Sequence, residues 1–450
     1  MSQSKTAPQN AQRLAELAQQ PVTTDLNATH YEWAGTTLQR LFGAERRISE
    51  TWAFFSGPAQ PARITGGGVT METLVTARPE VLGPAGADPE HHGQKYFFVK
   101  FLDPSDFPRF AYVGFNPDAV SRLGKPLKPH VAELLWQDRQ AVESLAELIR
   151  PQVRSRHAFE PFKAAYKRWA IAQAQADWAK DARIDLAPFV APARRAAADA
   201  LITRQLAVRR ELVGLLHRID FQEDQVILVE TPTLHAIAGL SLQIHPKAKD
   251  NFHPKDECWI YRELPFLDGT TGWILVEPQR TFDRTESGAD FFTPFTWDDA
   301  SGRLSFRKPI TKAFLDTFVS LMDATPLPKA HYLRTAQPIH IPRGSTRGTA
   351  HWRRLVEEPA WPYFLARELR VESAGGDSTT PLEHHSFIEL HATLGEIEVT
   401  LSAVRGSEHR FTVTPAHPVF LPASLPYETI TYRARGVACL QFFSRSAGIA

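Results

Sequence analysis

Between residues 131 and 149, apolar side chains fall at Val131, Leu134, Leu135, Val142, Leu145, Leu148 and Ile149. Steps of three and four place them along one face of a helix. Ala-rich stretches through Arg195–Leu216 repeat the period. A helical block is therefore predicted over roughly Ala119–His217, interrupted at Pro151, Pro161, Pro188 and Pro192, where the missing amide hydrogen ends helices. On either side the chain reads as short strands broken by turn residues. Glu50–Ser56 and Tyr96–Leu102 open it; Val226–Glu230, Leu240–His245, Glu257–Tyr261 and Trp273–Glu277 follow the block. A helix is predicted near Thr311–Met322, and strand-like runs such as Val419–Pro422 resume from Trp361 onward.

These changes of period predict a mainly β fold with an α insertion, in which two small β-barrel units accompany a helical block. The expected divisions are an N-terminal segment at 1–30, a β part at 31–118, the helical block at 119–220 and a β core at 221–310. A helix and linker at 311–358 and a C-terminal β-barrel at 359–450 complete the chain. A length of 450 residues suits several packed units rather than one core.

Composition narrows the function classes. The net charge of +1 gives no general attraction to nucleic acid or anionic membrane, so a charged ligand must be held locally. Cys258 and Cys439 are too few for a disulfide framework, which points to a reducing cytoplasm. No apolar run approaches the ~20 residues of a membrane span, and the stretch from Met1 to about Gln20 lacks the apolar core of a signal peptide.

The chemistry concentrates in Leu234-His-Ala-Ile-Ala-Gly-Leu-Ser-Leu-Gln-Ile-His-Pro246 and Lys255-Asp-Glu-Cys-Trp-Ile-Tyr261. Side chains two apart on a strand share a face, so Gln243 and His245 converge. If the chain reverses about Gly239, His235 falls opposite Gln243 on an antiparallel partner, within the ~5 Å of cross-strand neighbours. Glu257, on a following strand, reaches the same interior if the strands curl into a barrel. Two imidazoles, a carboxamide and a carboxylate suit a divalent transition ion such as Zn²⁺, with Mn²⁺, Co²⁺ or Ni²⁺ also accommodated. A single histidine on a strand is more often an ordinary hydrogen-bonded residue; His217 and His253 are read that way.

This segment resembles the class I mannose-6-phosphate isomerases of the cupin superfamily. Their Q-x-H-P strand matches Gln243 and His245, their K-[TD]-E-x-W strand matches Glu257, and their His-Ala motif matches His235 within Pro232-Thr-Leu-His-Ala236. Weaker fragments agree: Tyr31-Glu-Trp-Ala-Gly35, Ser49-Glu-Thr-Trp52, Phe98-Val-Lys-Phe-Leu-Asp103 and Val276-Glu-Pro-Gln-Arg-Thr-Phe-Asp283. Two departures stand out. The place where the family sets its Q-x-H-P strand reads Val113-Gly-Phe-Asn-Pro-Asp118, with Gly114 and Asn116 in place of ligands. The family's Asp-x-Thr-Tyr-Arg motif reads Asp283-Arg-Thr-Glu-Ser287, which leaves Ser287 where the family has an arginine.

The resemblance implies cupin-type jelly-roll barrels, a zinc ion on His235, Gln243, His245 and Glu257, and aldose–ketose isomerisation of a sugar phosphate through an enediolate. Mannose 6-phosphate to fructose 6-phosphate is the expected reaction. Glu50 and Glu277 are candidate bases, and Lys100, Lys247, Arg280 and Arg284 are candidate phosphate anchors, although each is also a common kind of structural or surface charge. The rival expectation is a non-catalytic carbohydrate-binding or sensing protein of the same fold. A third keeps the metal but changes the reaction to dioxygenase or epimerase work. In the C-terminal unit His384, His385, Glu389 and Gly395 faintly resemble a cupin ligand strand, but Tyr427 stands where a closing histidine is needed, so a metal-free barrel is expected. Gly66–Gly68 and Arg343–Gly348 are read as turns.

Overall fold

Strand Gln225–Val229 divides its side chains between two cores, and that alternation organises the molecule. Ile227 and Val229 join the core that contains the helical block. Val226 and Leu228 face a second core with Leu355, Phe387, Phe420 and Phe443 from the C-terminal half. The computed structural model describes residues 6–30, 36–48, 50–54, 61–66, 68–83, 95–100, 110–179, 183–220, 222, 225–230, 232–237, 241–244, 257–265, 272–280, 286–356, 364–404 and 406–445. For strands 95–100, 257–265 and 272–280 it describes the backbone and its pairing.

The described residues are 33% helical and 34% strand, a mixed fold rather than a mainly β one. The helical block accounts for the difference: Leu127–Ile149, Arg156–Gln175 and Arg195–Gly214 are each five turns or longer. Asn116 opens the short helix Pro117–Ser121 by accepting from the Asp118 amide, and Ser155 caps Arg156–Gln175 by accepting from Ala158. Pro161 does not interrupt that helix, contrary to the sequence expectation. It sits near the start, where the ring removes only one ladder bond and the following turns carry the helix on.

Five sheets follow. A seven-stranded antiparallel sheet runs in the order Ala28–Thr29, Glu50–Ala53, Glu257–Pro265, Gly272–Arg280, Lys95–Lys100, Gln225–Val229, Leu333–Thr335. A five-stranded sheet runs Glu286–Asp290, Ser241–Ile244, His235–Ile237, Phe110–Phe115, Leu216–Asp220. Phe295–Asp298 and Arg303–Phe306 form a separate hairpin. In the C-terminal half a six-stranded and a five-stranded sheet enclose Leu369, Ile388, Leu390, Val399, Leu401, Ile430 and Leu440. Among the described residues none of these sheets closes on itself, and no helix is long and apolar enough to cross a membrane.

The five-stranded sheet is anchored to the helical block through one face. The Tyr112 hydroxyl donates to Asp177 at 2.5 Å, and Arg218 donates to Asp177 at 2.6 Å and to the Gln175 carbonyl at 3.1 Å. The Arg218 guanidinium also lies 4.1 Å from the centre of the Phe110 ring. Deeper in the block Arg209, with no exposed surface, donates to both oxygens of Asp138, to the Phe291 carbonyl and to the Tyr166 hydroxyl. Burial works against its charge, but the Asp138 carboxylate more than offsets that and holds the guanidinium ionised.

Candidate functional site

His235 and Gln243 are direct cross-strand partners, as the chain reversal predicts. Pairing continues outward on both sides: His235 with Val113, Val113 with His217, and Gln243 with Ser287. Residues opposed in this way share a sheet face, so His217, Val113, His235, Gln243 and Ser287 form one row across five strands. It is the face opposite Tyr112 and Arg218.

His235 is fully buried. Its Nδ1 lies 2.9 Å from the Thr233 carbonyl oxygen, which can only accept, so Nδ1 carries the proton and Nε2 presents a lone pair. The Gln243 amide stands 3.2 Å from that Nε2. A neutral amide N–H donating to the ring accounts for this distance. The distance also matches two ligands of one ion, because metal–ligand bonds of ~2.0–2.1 Å in a tetrahedron set the ligands about 3.3–3.4 Å apart. Which amide atom faces the ring is an assignment that a half-turn of the amide reverses. A backbone carbonyl on the far ring nitrogen is the usual device that fixes a metal-binding histidine.

His245 and Arg284 lie outside the described residues, as do Lys247, His253 and the turn at Gly239. Glu257, Lys100, Glu277 and Arg280 are placed by backbone alone. They belong to the seven-stranded sheet, where Arg280 pairs with Glu257, Glu277 with Ile260, and Lys100 with Ile274. The quartet is thus drawn from two sheets, with His235 and Gln243 on one and Glu257 on the other. Among the described residues no three His, Cys, Asp or Glu side chains gather as a metal would require. The other candidate base, Glu50, is buried and accepts from the Trp52 indole at 3.2 Å.

At the two positions that depart from the resemblance, Gly114 has a visible local cause and Ser287 a defined partner. Gly114 adopts φ +58°, at a bulge where Val113 and Phe115 pair around it. A Cβ there would lie 2.1 Å from the Tyr332 hydroxyl, so the glycine makes room for that side chain. Burial, with the charges of Asp323 and Glu230, raises the Tyr332 pKa and keeps the hydroxyl protonated. Tyr332 also packs 5.8 Å from the His217 ring, whose Nε2 lies 2.7 Å from the Leu327 carbonyl. At the second departure, the Ser287 hydroxyl donates to the Ala289 carbonyl at 3.3 Å.

The C-terminal half holds a buried polar pair of which the sequence singles out Glu389 but not His391. On strand Ile388–Leu394 the apolar Ile388, Leu390 and Ala392 fill the C-terminal core. Glu389 and His391 alternate with them onto the opposite face, both buried, with Oε2 and Nε2 3.3 Å apart. Burial pushes the Glu389 carboxyl well up and the His391 imidazole well down. The Ile-Glu-Leu-His-Ala alternation is the sequence signal for the pair; the ring nitrogens of the other candidate, His384, lie 3.0 and 2.9 Å from the Ala423 and Tyr427 carbonyls.

No protein-family profile matches the chain, and no curated protein matches it. Among solved structures, a variant of the phosphomannose isomerase from Salmonella typhimurium is similar, with a TM-score of 0.47 and 13% identity over 95% of this chain and 99% of that one. A mannose 6-phosphate isomerase bound with zinc and yttrium is similar at a TM-score of 0.46 and 13% identity, again over 95% and 99% of the two chains.

Proposed function

We propose that this chain is a metal-dependent aldose–ketose isomerase acting on a sugar phosphate, with mannose 6-phosphate to fructose 6-phosphate as the favoured reaction. The observation that carries the reading is the His235–Gln243 pair: a buried imidazole, its tautomer fixed by Thr233, directing a lone pair toward a carboxamide 3.2 Å away. That donor pair fits a divalent ion of the zinc class. His245 and Glu257 would complete the set, as the resemblance to cupin-type barrels implies. Such an ion supplies Lewis acidity toward the carbonyl and hydroxyl oxygens of the open sugar. Glu277 is the candidate base that moves the proton between adjacent carbons, and Lys100, Arg280 and Arg284 are the candidate anchors for the phosphate. A cytoplasmic setting goes with this reading on the low cysteine content.

One observation favours a second reading, a non-catalytic carbohydrate-binding protein. Ser287 stands directly opposite Gln243, where the resemblance calls for an arginine, and its hydroxyl is turned to the Ala289 carbonyl of its own strand. Two measurements separate these readings. Purified protein should hold a transition-metal ion that is lost in His235→Ala and His245→Ala; retention of all metal in both variants would falsify the assigned site. Turnover on a panel of free and phosphorylated hexoses should then reveal isomerisation. Sugar binding without turnover in metal-loaded protein would establish the second reading instead.

A further inference from the structure

Strand Val419–Leu421 is the last strand of the six-stranded C-terminal sheet, and an edge strand presents main-chain groups with which another segment can pair. The segment that pairs here is the N-terminal arm. Val22 and Phe420 exchange both main-chain hydrogen bonds, each at 2.8 Å. Ser424 donates to the Ala18 carbonyl at 2.6 Å. Leu14, Leu17, Ala18 and Val22 are buried in the core that also holds Phe387, Phe420 and Phe443. Past Val22, the Thr65 amide donates to the Thr23 carbonyl at 2.9 Å and the Asp25 amide to the Arg63 carbonyl at 2.8 Å. These partners are all distant in sequence, so none of the bonds requires the arm to belong to the same molecule. The arm joins the body at one residue. Asp25 is held by Arg63, whereas Asn27 accepts from the Trp52 amide at 2.8 Å, and Ala28 and Thr29 pair with Thr51 and Glu50. Leu26 stands between these two anchored stretches, 46% exposed. A single exposed leucine is ordinary; one at the pivot of a docked arm has a further use.

We propose that the arm is exchanged between two copies of this chain, each arm seating on the Val419–Leu421 edge of the other, with Leu26 as the pivot. Exchange replaces each contact of the arm within one chain by the same contact between chains. Its equilibrium then depends on concentration and on the pivot alone, which makes it an undemanding route to a dimer. The occupant is a second copy because it presents Leu14, Leu17, Ala18 and Val22 in the register that the groove already holds. In the exchanged pair the two chains cross at their pivots, and Leu26 of each gains the apolar neighbour that a single chain does not give it. The inference goes beyond the isomerase reading and does not depend on it.

The test uses the full chain, unlabelled and nitrogen-15-labelled, followed by sedimentation over a concentration series and by native mass spectrometry after mixing. The expected result is a dimer fraction that rises with concentration and mixed dimers that form slowly. Val22→Ala weakens the docked arm equally in the single chain and in the exchanged pair. It should therefore leave the dimer dissociation constant within about twofold of wild type. The same variant should speed formation of mixed dimers by roughly tenfold, the effect of two buried methyl groups lost from the contact that must open. A dimer built on some other surface has no reason to mix faster when a core valine is trimmed. Leu26→Asp, at an exposed position that the single chain tolerates, should weaken the dimer by roughly tenfold or more, because it sets two charges where two apolar side chains meet. It also keeps the proposal open to refutation if Val22→Ala does not fold. Wild type that stays a single chain to its highest soluble concentration overturns the proposal. So does a dimer that Leu26→Asp leaves unchanged, or one whose mixing rate a folded Val22→Ala does not raise.

Discussion

Asp138→Ala should destabilise the helical block far more than a surface change, and the geometry gives the size. Arg209 has no exposed surface, and its Nε and Nη2 donate to Asp138 at 2.6 and 3.3 Å. The rest of its fork reaches the Phe291 carbonyl at 3.1 Å and the Tyr166 hydroxyl at 3.0 Å. Trp178 and Phe291 cover its faces at 4.8 and 4.7 Å. Removing the carboxylate leaves a cation that neither water nor a counter-charge can reach, a situation that costs about 3–5 kcal/mol. Replacing both partners, Asp138→Leu with Arg209→Met, removes the stranded charge along with its partner, and such exchanges are often close to neutral. A chain of this size need not unfold in one step, so the readout should be local: hydrogen exchange of helices Leu127–Ile149 and Arg195–Gly214. The single variant should speed exchange of their slowest amides by roughly two to nearly four decades, at 1.4 kcal/mol per decade. Acceleration of less than tenfold, or a double variant as damaged as the single one, would refute this account of Arg209.

Tyr166 should make the same block sensitive to alkali. Burial raises its pKa from the ordinary 10.0 to about 12. The folded state then keeps a proton that the unfolded chain releases, and stability falls as pH rises from 10 to about 12, by up to roughly 2.7 kcal/mol. Tyr166→Phe should lessen that slope in pH-dependent unfolding; an unchanged slope would count against the assignment. Gly114→Ala should cost about 2–4 kcal/mol, from overpacking against Tyr332 and from the positive φ. In thermal melts Gly114→Ala with Tyr332→Leu should recover the steric part alone, and full recovery would show that the backbone is unstrained.

Period-two spacing and one glycine sufficed to foresee that His235 and Gln243 would meet, because strand pairing is local there and the register follows from the reversal. The helix faces of the block were equally legible from apolar steps of three and four. The Arg209 cluster was not, since Asp138 and Tyr166 come from two helices and Phe291 from the bend after Glu286–Asp290, and no local pattern encodes their contact. Pro161 misled for a related reason: the sequence registers a missing amide but not how close it lies to the helix start. His391 was hidden by its own regularity. In Ile388–Leu394 the polar positions look solvent-facing, and only the packing of Phe54 and Phe443 onto that side reveals them as interior.

The carbonyl of Thr233 has a consequence for what the neighbourhood of His235 will accept. By claiming the hydrogen on one side of the ring, it leaves the far edge of the neutral imidazole electron-rich. That edge favours a neighbour with positive charge or a hydrogen to give, and the side chain that meets it is the Gln243 amide, 3.2 Å away. Selectivity of this kind is written into the main chain, out of reach of any side-chain substitution at position 233.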